Sequence, residues 1–171
     1  MLSFLNLRQG TGPRGRAAIG EGGAHSDGHR HGSIIMLKTL IVEDSAVFRQ
    51  AFKEALCKRF PFMAVEEALD GKAAMEKVIS FLPDLVFMDI RLPGESGLEL
   101  TRRIKTSHPS IAIIILTDYD LPEYREAARN GGADAFVPKG VLNLTDVGAL
   151  IDSIFPGRAL DFEDPDRKTP C

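Results

Sequence analysis

With 171 residues, 44% of them hydrophobic, the chain can bury one good core and is too short for two sizeable domains. Its 21 basic and 24 acidic residues give a formal charge of -3, so no overall basic field singles out nucleic acid or a membrane as partner. Cys57 and Cys171 have neither metal-ligand spacing nor the pattern of a secreted disulfide framework, and apolar runs such as Ile111 to Leu116 fall far short of the roughly 18 residues of a spanning helix. A soluble cytoplasmic protein without membrane contact is the expectation.

Residues 1 to 35 are rich in Gly and Arg and carry the histidines 25, 29 and 31, with almost no apolar periodicity after Leu7; a disordered leader is expected there. Met36 stands directly before the first strand pattern and could itself be the translation start. From Leu37 onward short apolar runs alternate with amphipathic stretches, the pattern of a parallel sheet covered by helices on both faces. Lys38 to Glu43 reads as the first strand, followed by a helix with Phe48, Phe52, Ala55 and Leu56 on one face. Met63 to Ala68, more polar, reads as a second strand at the sheet edge. Asp70 then offers an N-cap to a helix expected to bury Ala74, Met75, Val78, Ile79 and Leu82 before Pro83.

Leu85 to Met88 is a continuous apolar strand ending at Asp89, and Ser96 can cap a third helix that ends near Ser107. Ile111 to Leu116 is a buried fourth strand. Asp120 is expected to open a fourth helix and Gly131-Gly132 to close it. Ala135 to Val137 makes a brief fifth strand, and Val147, Leu150, Ile151, Ile154 and Phe155 form the apolar stripe of a last helix. Residues 157 to 171 are read as a short flexible tail, too small for an output module, so the expected folded domain is 36 to 156.

Polar residues interrupt the apolar runs at one recurring place: Glu43 and Asp44 after the first strand, Asp89 after the third, Thr117 after the fourth, Lys139 after the fifth. In an open α/β sheet the carboxyl ends of the strands border a common crevice, so these residues should meet. Carboxylates a few Å apart repel by several kcal/mol at an effective dielectric of about 20, and a cation must sit among them. Hard oxygen donors with room for water suit Mg²⁺ or Mn²⁺. Lys139 could keep Asp89 ionised and nucleophilic, and Thr117 could donate its hydroxyl to a transferred phosphoryl oxygen.

The set Glu43-Asp44, Met88-Asp89-Ile90-Arg91-Leu92-Pro93-Gly94, Thr117 and Phe136-Val137-Pro138-Lys139 resembles the receiver domain of two-component response regulators, over residues 37 to about 155. The resemblance implies a flavodoxin-like, doubly wound (βα)5 fold, with a five-stranded parallel sheet in the order 2-1-3-4-5. It further implies that Asp89 is the phosphoacceptor and that Glu43, Asp44, Asp89 and the backbone carbonyl of Arg91 hold the metal. Thr117 and Lys139 would bind the phosphoryl group, and Thr117 with Phe136 would form the switch, the aromatic turning inward as Thr117 is drawn to the phosphate. Arg91, Asp118 and Tyr119 would tune the reaction: Asp118 replaces the family's usual small residue and would repel phosphate, while Arg91 and Tyr119 would hinder attacking water.

Each position also has an ordinary reading: Asp44-Ser45 as a helix cap, Thr117 as a strand terminator, Lys139 as a surface lysine, Phe136 as a core aromatic. Their common edge with Asp89 favours the functional one. The partners implied are a sensor histidine kinase or phosphotransfer protein and an unnamed downstream protein. The surface around Tyr124, Arg125, Arg129 and the last helix is a candidate face for that protein, and a homodimer could use the fourth helix, fifth strand and fifth helix. No direct DNA binding is expected. Two rivals are a phosphorylation-independent pseudo-receiver, favoured only by Asp118, and a small aspartate-nucleophile phosphohydrolase, disfavoured because Arg91 occupies the place of the second acid.

Overall fold

The computed structural model describes residues 36–156. The expectations for residues 1–35 and 157–171 lie outside the described residues. Five strands, β1 (Leu37–Val42), β2 (Met63–Ala68), β3 (Leu85–Asp89), β4 (Ala112–Thr117) and β5 (Ala135–Pro138), form one parallel sheet in the order β2-β1-β3-β4-β5. The helices between and after them are α1 (Ala46–Arg59), α2 (Gly71–Ser80), α3 (Gly97–Ser107), α4 (Pro122–Asn130) and α5 (Leu144–Ile154). This is the doubly wound arrangement expected, with the polar β2 at an edge and β3, every residue buried, at the centre.

Two cores follow from the period of two along the strands. Ile41, Phe87, Ile114 and Val137 point to one face and pack with Phe52 and Leu56 of α1 and Val147, Leu150 and Ile151 of α5. Leu40, Val42, Val86, Met88, Ile113, Ile115 and Phe136 point to the other and meet Ala74, Val78, Leu100, Ile104 and Ala128 of α2, α3 and α4. Burying such a side chain contributes on the order of 1.5–3 kcal/mol, so this double-sided packing outweighs the weak helical bias of any one segment.

Side-chain oxygens at Ser45, Asp70, Ser96 and Asn143 accept first-turn amide hydrogens, fixing the starts of α1, α2, α3 and α5. The cap expected at Asp120 is absent. Leu121 is the N-cap of α4 without a side-chain bond, Pro122 begins the helix, and Asp120 instead takes the guanidinium of Arg125 at 2.5 Å. The apolar face of α2 is also narrower than expected: Ala74 and Val78 are buried, Met75 is half-buried, and Ile79 and Leu82 are exposed. The reason is geometric. The helix ends at Ser80, and Leu82, with φ 52°, has left the helical path before Pro83.

One glycine fits the β3–α3 connection tightly. A Cβ on Gly97 would come within 1.8 Å of the Asp89 carbonyl oxygen, while the Gly97 amide donates to the Ile90 carbonyl at 2.8 Å. The start of α3 is thereby seated directly on the end of the strand that carries Asp89.

Candidate functional site

The register of the sheet assembles the site. Val42 pairs with Met88, Asp89 with Leu116, and Thr117 with Pro138, so the ends of β1, β3, β4 and β5 reach nearly the same level. Glu43 follows Val42 beside Asp89, and Lys139 follows Pro138. One carboxylate oxygen from each of Glu43, Asp44 and Asp89 falls within 4.8 Å of the others. Glu43 and Asp89 are buried and Asp44 is exposed at the rim.

Lys139 reaches into this cluster. Its ammonium lies 2.6 Å from Glu43 Oε2, 3.5 Å from Asp89 Oδ2 and 3.6 Å from an oxygen of Asp118, with the lysine side chain 8% exposed. Glu43 Oε2 has no aligned hydrogen-bond partner, so its contact with Lys139 is a close ion pair, while Glu43 Oε1 accepts from the Ser45 amide. Asp89 Oδ1 accepts from the Ile90 amide at 2.8 Å.

These surroundings set the protonation of the site. Burial pushes the Asp89 carboxyl up from 3.8 to about 6; Lys139 pulls against that, Glu43 adds to it, and the Ile90 amide also opposes it. Burial alone would lower the Lys139 ammonium, but its close contact with Glu43 and the charges of Asp89 and Asp118 hold it above its usual range. Lys139 thus stays a cation, whereas Asp89 is fully a carboxylate only above its raised value.

Thr117 ends β4, fully buried, and its hydroxyl accepts from the Tyr119 amide at 3.1 Å. Phe136 is 1% exposed, part of the core under α4, with the guanidinium of Arg125 4.8 Å from its ring centroid. The ring is inward here. Arg91 and Tyr119, from the loops after β3 and β4, form a stack with the guanidinium 3.9 Å from the ring centroid. The Arg91 backbone is held by a bridge to Ser96. The surface around Tyr124 and Arg125 differs from expectation: Tyr124 packs against the core and Arg125, 19% exposed, is spent on Phe136 and Asp120. Arg129 remains exposed.

Sequence reasoning missed Arg49. From the first turns of α1 its guanidinium donates to the Glu43 carbonyl at 2.7 Å and to the Asp44 carbonyl at 3.5 Å, and it pairs with Glu67 of β2 at 3.2 Å. It therefore pins the backbone of the acidic pair. No local pattern announces this, because the partner Glu67 comes from another strand.

Residues 39–151 match the family model described as the response regulator receiver domain. The chain belongs to the receiver family of two-component response regulators. The oxygen regulatory protein NreC of Staphylococcus carnosus is 38% identical over 104 residues, 60% of this chain and 48% of that protein. The response regulator GacA of Pseudomonas syringae is 29% identical over 123 residues, 72% of this chain and 57% of that protein. This receiver chain therefore spans about half the length of the curated relatives it matches. Among solved structures, a LuxR-family DNA-binding response regulator from Staphylococcus aureus superimposes with TM-score 0.64 at 28% identity, covering 69% of this chain and 98% of that one. A CheY-like receiver domain protein from Methanospirillum hungatei gives TM-score 0.62 at 27% identity, covering 69% and 96%. Receiver domains are phosphoacceptor signalling modules that take Mg²⁺ through acidic residues and interact with histidine kinases or other phosphodonors. Among the described residues no helix is long and apolar enough to cross a membrane.

Proposed function

We propose that Asp89 of this receiver accepts a phosphoryl group from a histidine kinase or phosphotransfer protein, and that the receiver passes the change on through altered protein contacts in the cytoplasm. The observation that carries this reading is the reach of Lys139 to both Glu43 and Asp89 in one buried crevice at the carboxyl edge of the sheet. Asp89 Oδ2 is the nucleophile: it forms a bond to phosphorus as the donor's bond to phosphorus breaks, and the leaving group carries away that electron pair. Lys139 neutralises the transferred oxygens, and Thr117, whose oxygen accepts from the Tyr119 amide, donates its hydroxyl hydrogen to a phosphoryl oxygen.

The donor set fits a hard divalent cation. Three carboxylates converge, all donors are oxygen, and Lys139 cannot balance them together with Asp118. Glu43, Asp44, Asp89 and the Arg91 carbonyl would hold Mg²⁺ or Mn²⁺, which supplies charge neutralisation for the phosphoryl oxygens. Intact mass after incubation with acetyl phosphate and Mg²⁺ tests the reading, with EDTA and Asp89→Asn as controls. One added phosphoryl group that needs both metal and Asp89 is expected; addition that survives Asp89→Asn would refute it.

The Arg91–Tyr119 stack at the rim supports a further element, slow loss of the phosphoryl group, because both groups narrow the approach of water. Arg91→Ala combined with Tyr119→Ala should shorten the lifetime of the phosphorylated protein; an unchanged or longer lifetime would remove the two residues from that role. The pseudo-receiver reading retains one observation in its favour, the Asp118 carboxylate 3.6 Å from Lys139, and predicts no phosphoryl addition at all. Phe136 and Thr117 remain the proposed switch. With the ring already inward, phosphorylation would act by stabilising this arrangement.

A further inference from the structure

Lys139 is nearer to Glu43 than to Asp89, and Asp118 competes from the exposed side. Its stem is flexible, so the position of the ammonium depends on what packs beside it. On α1 the ring of Phe48 does this: the Lys139 ammonium lies 4.5 Å from its centroid. Phe48 stacks on Phe52 with centroids 5.6 Å apart and planes at 25°, and Phe52 meets Phe87 edge to face at 5.0 Å and 85°. Phe87 stands two residues before Asp89 in the same strand. A continuous ladder of rings therefore runs from beneath the lysine to the strand of the acceptor.

We propose that Phe48 is a positioning residue for the phosphoryl site, its ring face holding the Lys139 ammonium between Glu43 and Asp89. The proposal rests on the reading of Asp89 as acceptor and adds to it a residue that touches neither phosphate nor metal. The ring attracts a cation without adding negative charge to a crevice that already holds several carboxylates. The attraction extends to about 6 Å and is stronger where, as at this lysine, the cation is shielded from water. Packing alone would equally suit an aliphatic side chain. A positioning role instead requires the aromatic face, and the two can be separated by experiment.

The test compares wild type with Phe48→Leu, which keeps the apolar contact, and Phe48→Tyr, which keeps the ring. The first readout needs no phosphoryl chemistry: the Lys139 ε-methylene signal in ¹H–¹³C spectra should be displaced by the ring current in wild type and Phe48→Tyr and should relax in Phe48→Leu. The second is the rate of phosphorylation by acetyl phosphate at saturating Mg²⁺. Phe48→Leu should be roughly three- to tenfold slower, with Mg²⁺ affinity by calorimetry unchanged, and Phe48→Tyr should restore the rate. An undisplaced ε-methylene signal in wild type overturns the proposal even if Phe48→Leu fails to fold. So does a Phe48→Leu rate equal to that of wild type, or a Phe48→Tyr rate as slow as that of Phe48→Leu. A wild type that takes up no phosphoryl group overturns the acceptor reading instead, while the ring-current shift still decides whether Phe48 holds the lysine.

Discussion

Aspartates sit at both ends of this sheet, and their surroundings are opposite. At the amino ends of the strands, Asp134 accepts from the Ile113 amide at 2.8 Å and pairs with Lys105 at 2.5 Å, while Asp84 accepts from the Lys38 amide at 3.0 Å. Each of these carboxylates ties two strand starts together. At the carboxyl ends, Glu43, Asp44 and Asp89 crowd one another and share Lys139 with Asp118. A carboxylate whose neighbours are donors stabilises the fold, whereas one whose neighbours are carboxylates raises the energy of the fold and is available to a ligand or a reaction.

The sharpest break in that comparison is Asp89→Asn. It should abolish metal-dependent phosphorylation and yet stabilise the domain. Because the Asp89 value rises from 3.8 to about 6 on folding, the folded state binds more protons than the unfolded one in that window. Stability therefore falls as pH rises through the window and stays lower above it. Thermal unfolding in EDTA should show Asp89→Asn gaining on the order of 1–3 kcal/mol at pH 8 and little below about pH 4. A loss of stability at pH 8 would mean that the site is not strained by its charge.

Asp134→Ala should do the reverse. It leaves Lys105, 10% exposed, without its partner and the Ile113 amide without its side-chain acceptor, at a cost of roughly 2–4 kcal/mol in urea denaturation. The folded variant should take up phosphoryl groups at the wild-type rate, and a slowed rate would show that the two edges are coupled.

The smallest effect is expected at Asp118, whose side chain is 69% exposed and whose pull on Lys139 is screened by solvent. Asp118→Asn should speed phosphorylation by acetyl phosphate by about two- to fivefold at low ionic strength, with the gain shrinking in salt. A slower reaction would show that Asp118 helps to hold the lysine or the metal.

Most of the fold was legible because a parallel sheet covered on both faces writes itself as continuous apolar runs; Leu85 to Met88 and Ile111 to Leu116 could hardly be anything else. The failures lie where local sequence left two options. Asp120 reads as a cap until Arg125, one turn into the helix, competes for it. Ile79 and Leu82 read as core until the helix ends early and turns them out. Tyr124 and Arg125 read as surface until the core beneath α4 and the ring of Phe136 draw them in.

The sequence by itself determined the order of elements, the parallel sheet, and the edge at which Glu43, Asp44, Asp89, Thr117 and Lys139 meet, because period and strand ends are local properties of the chain. Only the tertiary structure decided that Lys139 sits closer to Glu43 than to the acceptor, that Arg49 fastens the acidic loop, and that Phe48 lies against the ammonium. Those distances depend on the register between strands and on the seating of α1 over β3, which arise when segments far apart in the chain bury their surfaces together.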